Sequence, residues 1–156
     1  MQSVPLRFRA RKPKEIDFEP ATLGDHVKKR RLILGITAKE AARKLGVTAW
    51  TVRHWETNQT QPPVRGIHTI VRFLGYDPFP EPKSISERLL AKRRAMGWSI
   101  RAAAREFGVD PGTWGDWERG SVILYRAHRA LVARLLGLQE GEVEQVMAAS
   151  WAWSHE

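Results

Sequence analysis

The sequence contains no cysteine. That excludes disulfides, thiolate metal sites and a thiol nucleophile, and it suits a reducing compartment. No apolar stretch approaches the roughly 20 residues that a membrane helix requires. The basic start MQSVPLRFRARKPK is followed by no apolar run, so it does not read as a secretory signal. No segment alternates polar and apolar residues for long, which argues against strands. The five histidines are scattered, and no HExxH, phosphate loop or Ser-His-Asp arrangement occurs. The expectation is a soluble, cytoplasmic, all-α protein that is not an enzyme. It has no catalytic residues, no metal site, no cofactor and no membrane contact.

Charge of one sign is in excess. There are 26 basic and 17 acidic residues, a net charge of +9. The excess lies in the body of the chain: residues 22–82 carry +5 and 83–139 carry +6, whereas 140–156 carry −4. A basic body favours a polyanionic partner, because each neutralised phosphate releases counterions.

An internal repeat organises the chain. With Leu23 set over Ile85, an offset of 62, the alignment runs without a gap to Tyr76 over Leu138 and gives 13 identities in 54 positions. Among them are Arg31/Arg93, Ala42/Ala104, Gly46/Gly108, Trp55/Trp117 and Glu56/Glu118. Between the copies lies DPFPEPK, whose prolines remove amide donors and hold the chain extended. The expected organisation is a basic arm (1–21), a first domain (22–77), a stiff linker (78–83), a second domain (84–139) and an acidic tail with Trp151 and Trp153 (140–156).

Each copy reads as four to five short helices. Thr22 with Asp25, Ser84 with Glu87 and Thr37 with Glu40 have the spacing of capping boxes. Gly35, Gly97, Gly75 and Gly137 stand where helices should end. Pro111 after Asp110 suits a first helical position. The second and third helices of each copy lie very close in sequence. Ala42 is small enough for a close crossing, Gly46 tolerates a left-handed turn, and Val52 and Trp55 share one face that can anchor the third helix. Ala104, Gly108, Trp114 and Trp117 repeat that scheme.

The segments TAKEAARKLGVTAWTVRHWE and SIRAAAREFGVDPGTWGDWE resemble the phage-repressor and Cro-like helix-turn-helix regulators, the XRE family. The resemblance covers both copies. It implies two tandem five-helix domains of the phage-repressor type, with the third helix of a domain in the DNA major groove. It also implies structural ion pairs between the first and third helices, here Arg31 with Glu56 and Arg93 with Glu118. A glutamate beside a buried tryptophan needs such a bidentate partner.

On a helical wheel centred on Val52 and Trp55, Trp50, Arg53 and His54 face outward, led by Thr48 and Ala49. Arg53 suits guanine or phosphate, and Ala49 a thymine methyl. Asn58 and Gln59 fall where the family's phosphate-contacting turn lies. The family's usual glutamine at the start of the second helix is replaced by Ala38 and Ile100, which leaves Thr37, Lys39 and Arg43 as its substitutes. In the second copy the outward positions hold Gly112, Gly115, Asp116 and Arg119, and Arg101, Arg105, Asp116 and Arg119 are the candidate DNA contacts of that copy. An apolar run, Val122 to Tyr125, follows and wants burial. Arg7, Arg9, Arg11, Lys12 and Lys14 suit a minor-groove arm or a tail that adds non-specific affinity.

Two functions follow. One is a sequence-specific transcriptional regulator of double-stranded DNA, a repressor ahead of an activator, reading through the helix that starts at Thr48. It acts either as a homodimer or as a pseudo-dimer of its tandem domains. The other is an adaptor or antiactivator that holds a protein partner through its second domain or its tail.

Overall fold

The computed structural model describes residues 16–121 and 124–153. Among the described residues the regular elements are all helices, with no strand. In chain order the helices are α1 (Leu23–Ile33), α2 (Ala38–Leu45), α3 (Ala49–Glu56), α4 (Ile67–Leu74), α5 (Ile85–Met96), α6 (Ile100–Glu106), α7 (Pro111–Arg119), α8 (Arg126–Leu136) and α9 (Glu140–Trp153). A 3-10 turn, Val64–Gly66, precedes α4. None of these helices is long and apolar enough to cross a membrane.

The helices begin where the capping residues stand. Thr22, Thr37 and Ser84 each accept a hydrogen bond from the amide three residues on, and the acid at that position bonds back to the cap's own amide. These bonds hold the carboxyls below their ordinary values: Asp25 chiefly through the Thr22 hydroxyl, Glu40 chiefly through the Thr37 amide and Glu87 chiefly through the Lys83 amide.

The chain divides into two compact units between Gln61 and Pro62. The division falls ahead of the proline-rich stretch, because the 3-10 turn and α4 pack on α5. In the first unit α1 and α2 both pack on α3. Val27, Ala41, Ala42, Leu45, Val52 and Trp55 are its buried apolar residues. The approach of α1 to α3 is very close at Gly24, where a Cβ would overlap the carbonyl oxygen of Trp55. Asn58, in the left-handed region at φ 57°, ends α3 and ties it to the start of α1: its Oδ1 accepts from the Thr22 hydroxyl at 2.7 Å.

In the second unit α5 and α6 pack on α7 in the same way, and α9 packs on α8. The core joins Ile85, Leu89, Ala103, Ala104, Trp114, Trp117, Val132 and Val143. Phe107 stacks on Trp114, with ring centroids 5.5 Å apart, and Trp114 lies 6.0 Å from Trp117. The acidic tail helix is held in part by Glu144, which accepts from Arg129 at 2.6 Å. Of the apolar run, Leu124 is buried and Tyr125 is 75% exposed, while Val122 and Ile123 lie outside the described residues. The residues of the basic arm, Arg7 to Lys14, also lie outside them.

The third helix of each set is fixed by one ion pair. Arg31 Nε donates to Glu56 Oε1 at 2.5 Å and Nη2 to Oε2 at 2.9 Å, while Nη1 donates to the Ile36 carbonyl at 3.2 Å. Arg93 repeats this with Glu118 at 2.5 and 2.7 Å and with the Trp98 carbonyl at 3.1 Å. Both pairs are withdrawn from water, with side chains 16% and 7% exposed in the first and 6% and 8% in the second. The bond to Glu56 raises the Arg31 guanidinium above its ordinary value. Glu118 takes a further bond from Trp114 Nε1 at 2.6 Å.

Two outcomes are expected. Gly24→Ala should destabilise the first unit by about 2 kcal/mol or more in urea unfolding, since backbone cannot yield as a side chain can. Ser86→Ala, at the corresponding place in the second copy, should stay within about 0.5 kcal/mol. Glu56→Gln, which strands the Arg31 charge, should cost about 3 kcal/mol, and the double replacement Arg31→Met with Glu56→Leu should recover most of that loss.

Candidate nucleic-acid interface

The interface is built on α2, the turn after it and α3. The turn needs a residue that accepts a left-handed backbone, and Gly46 takes φ 68°. The Val47 amide then closes onto the Ala42 carbonyl at 3.0 Å. Ala41 and Ala42 are buried at the crossing, where small side chains let the two helices approach. Thr48 starts α3, its hydroxyl accepting from the Thr51 amide at 3.1 Å. Val52, Trp55 and Glu56 are buried on one side of α3, and this orients the other side outward.

The outward side holds the residues that the helical wheel selects. Trp50 is 64% exposed and Arg53 is exposed. His54 is half-buried because Trp50 covers it, the ring centroids being 3.6 Å apart with an interplanar angle of 30°. The spacing of these two residues, one helical turn, is the sequence signal for that stack. On α2, Lys39 and Arg43 are exposed, as is Lys44. Three cations on α2, one on α3 and an indole are therefore exposed on two helices that pack together.

Other expected contacts are engaged locally. The Thr37 hydroxyl donates to Glu40 at 2.8 Å besides capping α2. Asn58 is bound to Thr22 and lies 3.5 Å from Asp25 through its Nδ2. Ala49 is half-buried, and Gln59 is exposed. The tie from Asn58 to α1 was not visible in sequence, because it joins residues 36 apart.

The corresponding surface on α6 and α7 differs. Asp110 caps α7 by accepting from the Gly112 amide at 2.7 Å, and Pro111 occupies the first turn. Arg101 and Arg105 are exposed on α6. Gly115, expected to face outward, is buried. A helical side chain leans over the turn before it, and the Arg119 guanidinium would stand 3.0 Å from a Cβ at Gly115. The same guanidinium donates to Asp116 at 2.6 Å. Where the first copy has Arg53 and His54, the second thus has Gly115 and Asp116, and the acid is neutralised by Arg119, which stands at the place of Thr57.

Residues 27–79 match the family described as Helix-turn-helix. The match runs from within α1 to just beyond α4 and supports an XRE-type helix-turn-helix regulator there. The second copy, which rests on the internal repeat, stands outside the matched residues. No characterised protein and no solved structure gives a significant match to the chain.

Proposed function

We propose that the protein is a sequence-specific regulator of double-stranded DNA, with α3 in the major groove and α2 against the backbone. One observation carries this reading. Within the segment matched to the helix-turn-helix family, the side of α3 away from Val52 and Trp55 presents Trp50 and Arg53 to solvent, and α2, packed on α3, exposes Lys39 and Arg43. Arg53 suits a bidentate contact to guanine. Lys39 and Arg43 suit phosphates, which position the reading helix. Occupying an operator is enough to block it, so the regulator is taken as a repressor.

Helices α5 to α8 form a divergent second copy in this proposal. The Asp116–Arg119 pair and the covered Gly115 favour a second reading for that copy alone, a surface for a protein partner. The protein then reads DNA through paired first copies in a homodimer. If instead both copies of one chain read DNA, binding sites selected from random sequence should show two different adjacent motifs in place of one inverted repeat.

Fluorescence anisotropy with a selected duplex at several salt concentrations tests the assignment. Lys39→Ala and Arg43→Ala should each lower affinity on all sequences and reduce the salt slope by about 1. Arg53→Ala should cost about 1–3 kcal/mol on the selected site and much less on random DNA. Arg119→Ala should leave both affinities within about twofold of wild type, as expected of a side chain neutralised by its own helix. Unchanged binding in the Lys39 and Arg53 variants would contradict the reading.

A further inference from the structure

A cavity of about 820 Å³ lies within the second unit, between α4, the proline-rich stretch and α5. Its walls are largely apolar: Ile67 and Val71 come from α4, Phe79 from the proline-rich stretch, and Leu90 and Ala91 from α5. The size and lining are those of a small-molecule site. Beside the cavity the turn after α5 approaches α4 so closely that a Cβ at Gly97 would come within 2.7 Å of the His68 ring.

One charged group in this wall has a buried donor without a partner. The Arg94 guanidinium lies over the Phe79 ring at 4.0 Å from its centroid. Its Nε is buried and has no hydrogen-bond partner among the described residues. Burial pushes the group below its ordinary value, and Asp77 opposes that shift only in part. A buried guanidinium donor left unsatisfied is costly and invites an acceptor.

The acids in the wall are differently placed. The Asp77 carboxylate accepts from the Phe79 amide at 2.9 Å. That of Glu87 accepts from the Lys83 and Ser84 amides at 2.6 and 3.1 Å. Glu81 is exposed, and Arg72 and Lys83 are exposed beside the same cavity. The backbone thus occupies two of the three carboxylates, whereas Arg94 keeps a free donor.

We propose that this cavity binds a small molecule with an apolar, ring-sized body and a single carboxylate, the body lying among Val71, Phe79 and Leu90 and the carboxylate meeting Arg94. Nothing in this assignment depends on the DNA-binding reading of α3. The ligand bridges α4, the proline-rich stretch and α5, all within one unit.

Isothermal titration of the full chain with 1-naphthoate and with its neutral isostere 1-naphthamide tests the site, alongside a panel of aryl and medium-chain alkyl carboxylates. The naphthoate should bind in the micromolar range and the amide about tenfold more weakly, the difference made by one charge-assisted contact. Arg94→Gln should bring naphthoate down to the level of the amide and leave the amide unchanged. Ala91→Phe, which fills the cavity from α5, should abolish binding of both while circular dichroism stays that of the wild type. The proposal is overturned if no carboxylate of the panel binds the wild-type chain at about 1 mM. It is equally overturned if acid and amide bind alike, or if the Ala91→Phe chain, folded, binds as the wild type does.

Discussion

The buried pair between an arginine at the end of one helix and a glutamate at the end of the third fixes the rest of the arrangement. Neither charge can leave water without a partner, and neither can move without stranding the other. Arg31 therefore holds Glu56 at the end of α3, and through Nη1 it also holds the turn that leads into α2. One guanidinium thus connects α1, the start of the helix-turn-helix and its last residue. Arg93 makes the same three contacts with Glu118 and Trp98, the same number of residues apart. With the inner side of the third helix pinned in this way, its outer side can vary without loss of the fold.

That freedom is used differently in the two copies. The first leaves an indole and an arginine facing solvent, the indole stacked on His54, and exposes basic residues on α2. The second has replaced the bulky outward residues with glycine and has turned its remaining charges on each other. It compensates inside, where Trp114 stands in place of Val52 and adds a hydrogen bond to the glutamate of the pair. A larger, more aromatic core under a quieter surface fits a helix kept for its packing. The repeat in the sequence is thus a repeat of scaffold, and the composition of the outer face is the part that bears on function.

Much of this was legible in the sequence, for local reasons. Capping boxes, the left-handed Gly46 and the i,i+3 anchor of Val52 and Trp55 are set by residues a few positions apart. The ion pairs followed from a resemblance and agree with the contacts. What stayed hidden depends on tertiary approach. Nothing near Gly24 in sequence signals that a carbonyl from α3 lies against it. The burial of Gly115 comes from an arginine one turn later leaning back over bare backbone, and a wheel that treats each position alone misses it. Asn58 reads as a residue of a phosphate-contacting turn, and nothing in the sequence shows its bond to Thr22. The unit boundary at Gln61 depends on where α4 packs.

The central claim is that the outward side of α3, and not that of α7, lies against the bases. Photo-cross-linking measures this directly. Duplexes that the full chain selects from random DNA are remade with 5-iodouracil in place of thymine, irradiated in complex and digested, and the adducts are located by mass spectrometry. The account predicts adducts on the peptide that contains Trp50 and His54, and none between Asp110 and Gly120. Adducts confined to Asp110–Gly120 on a tightly bound duplex would contradict it.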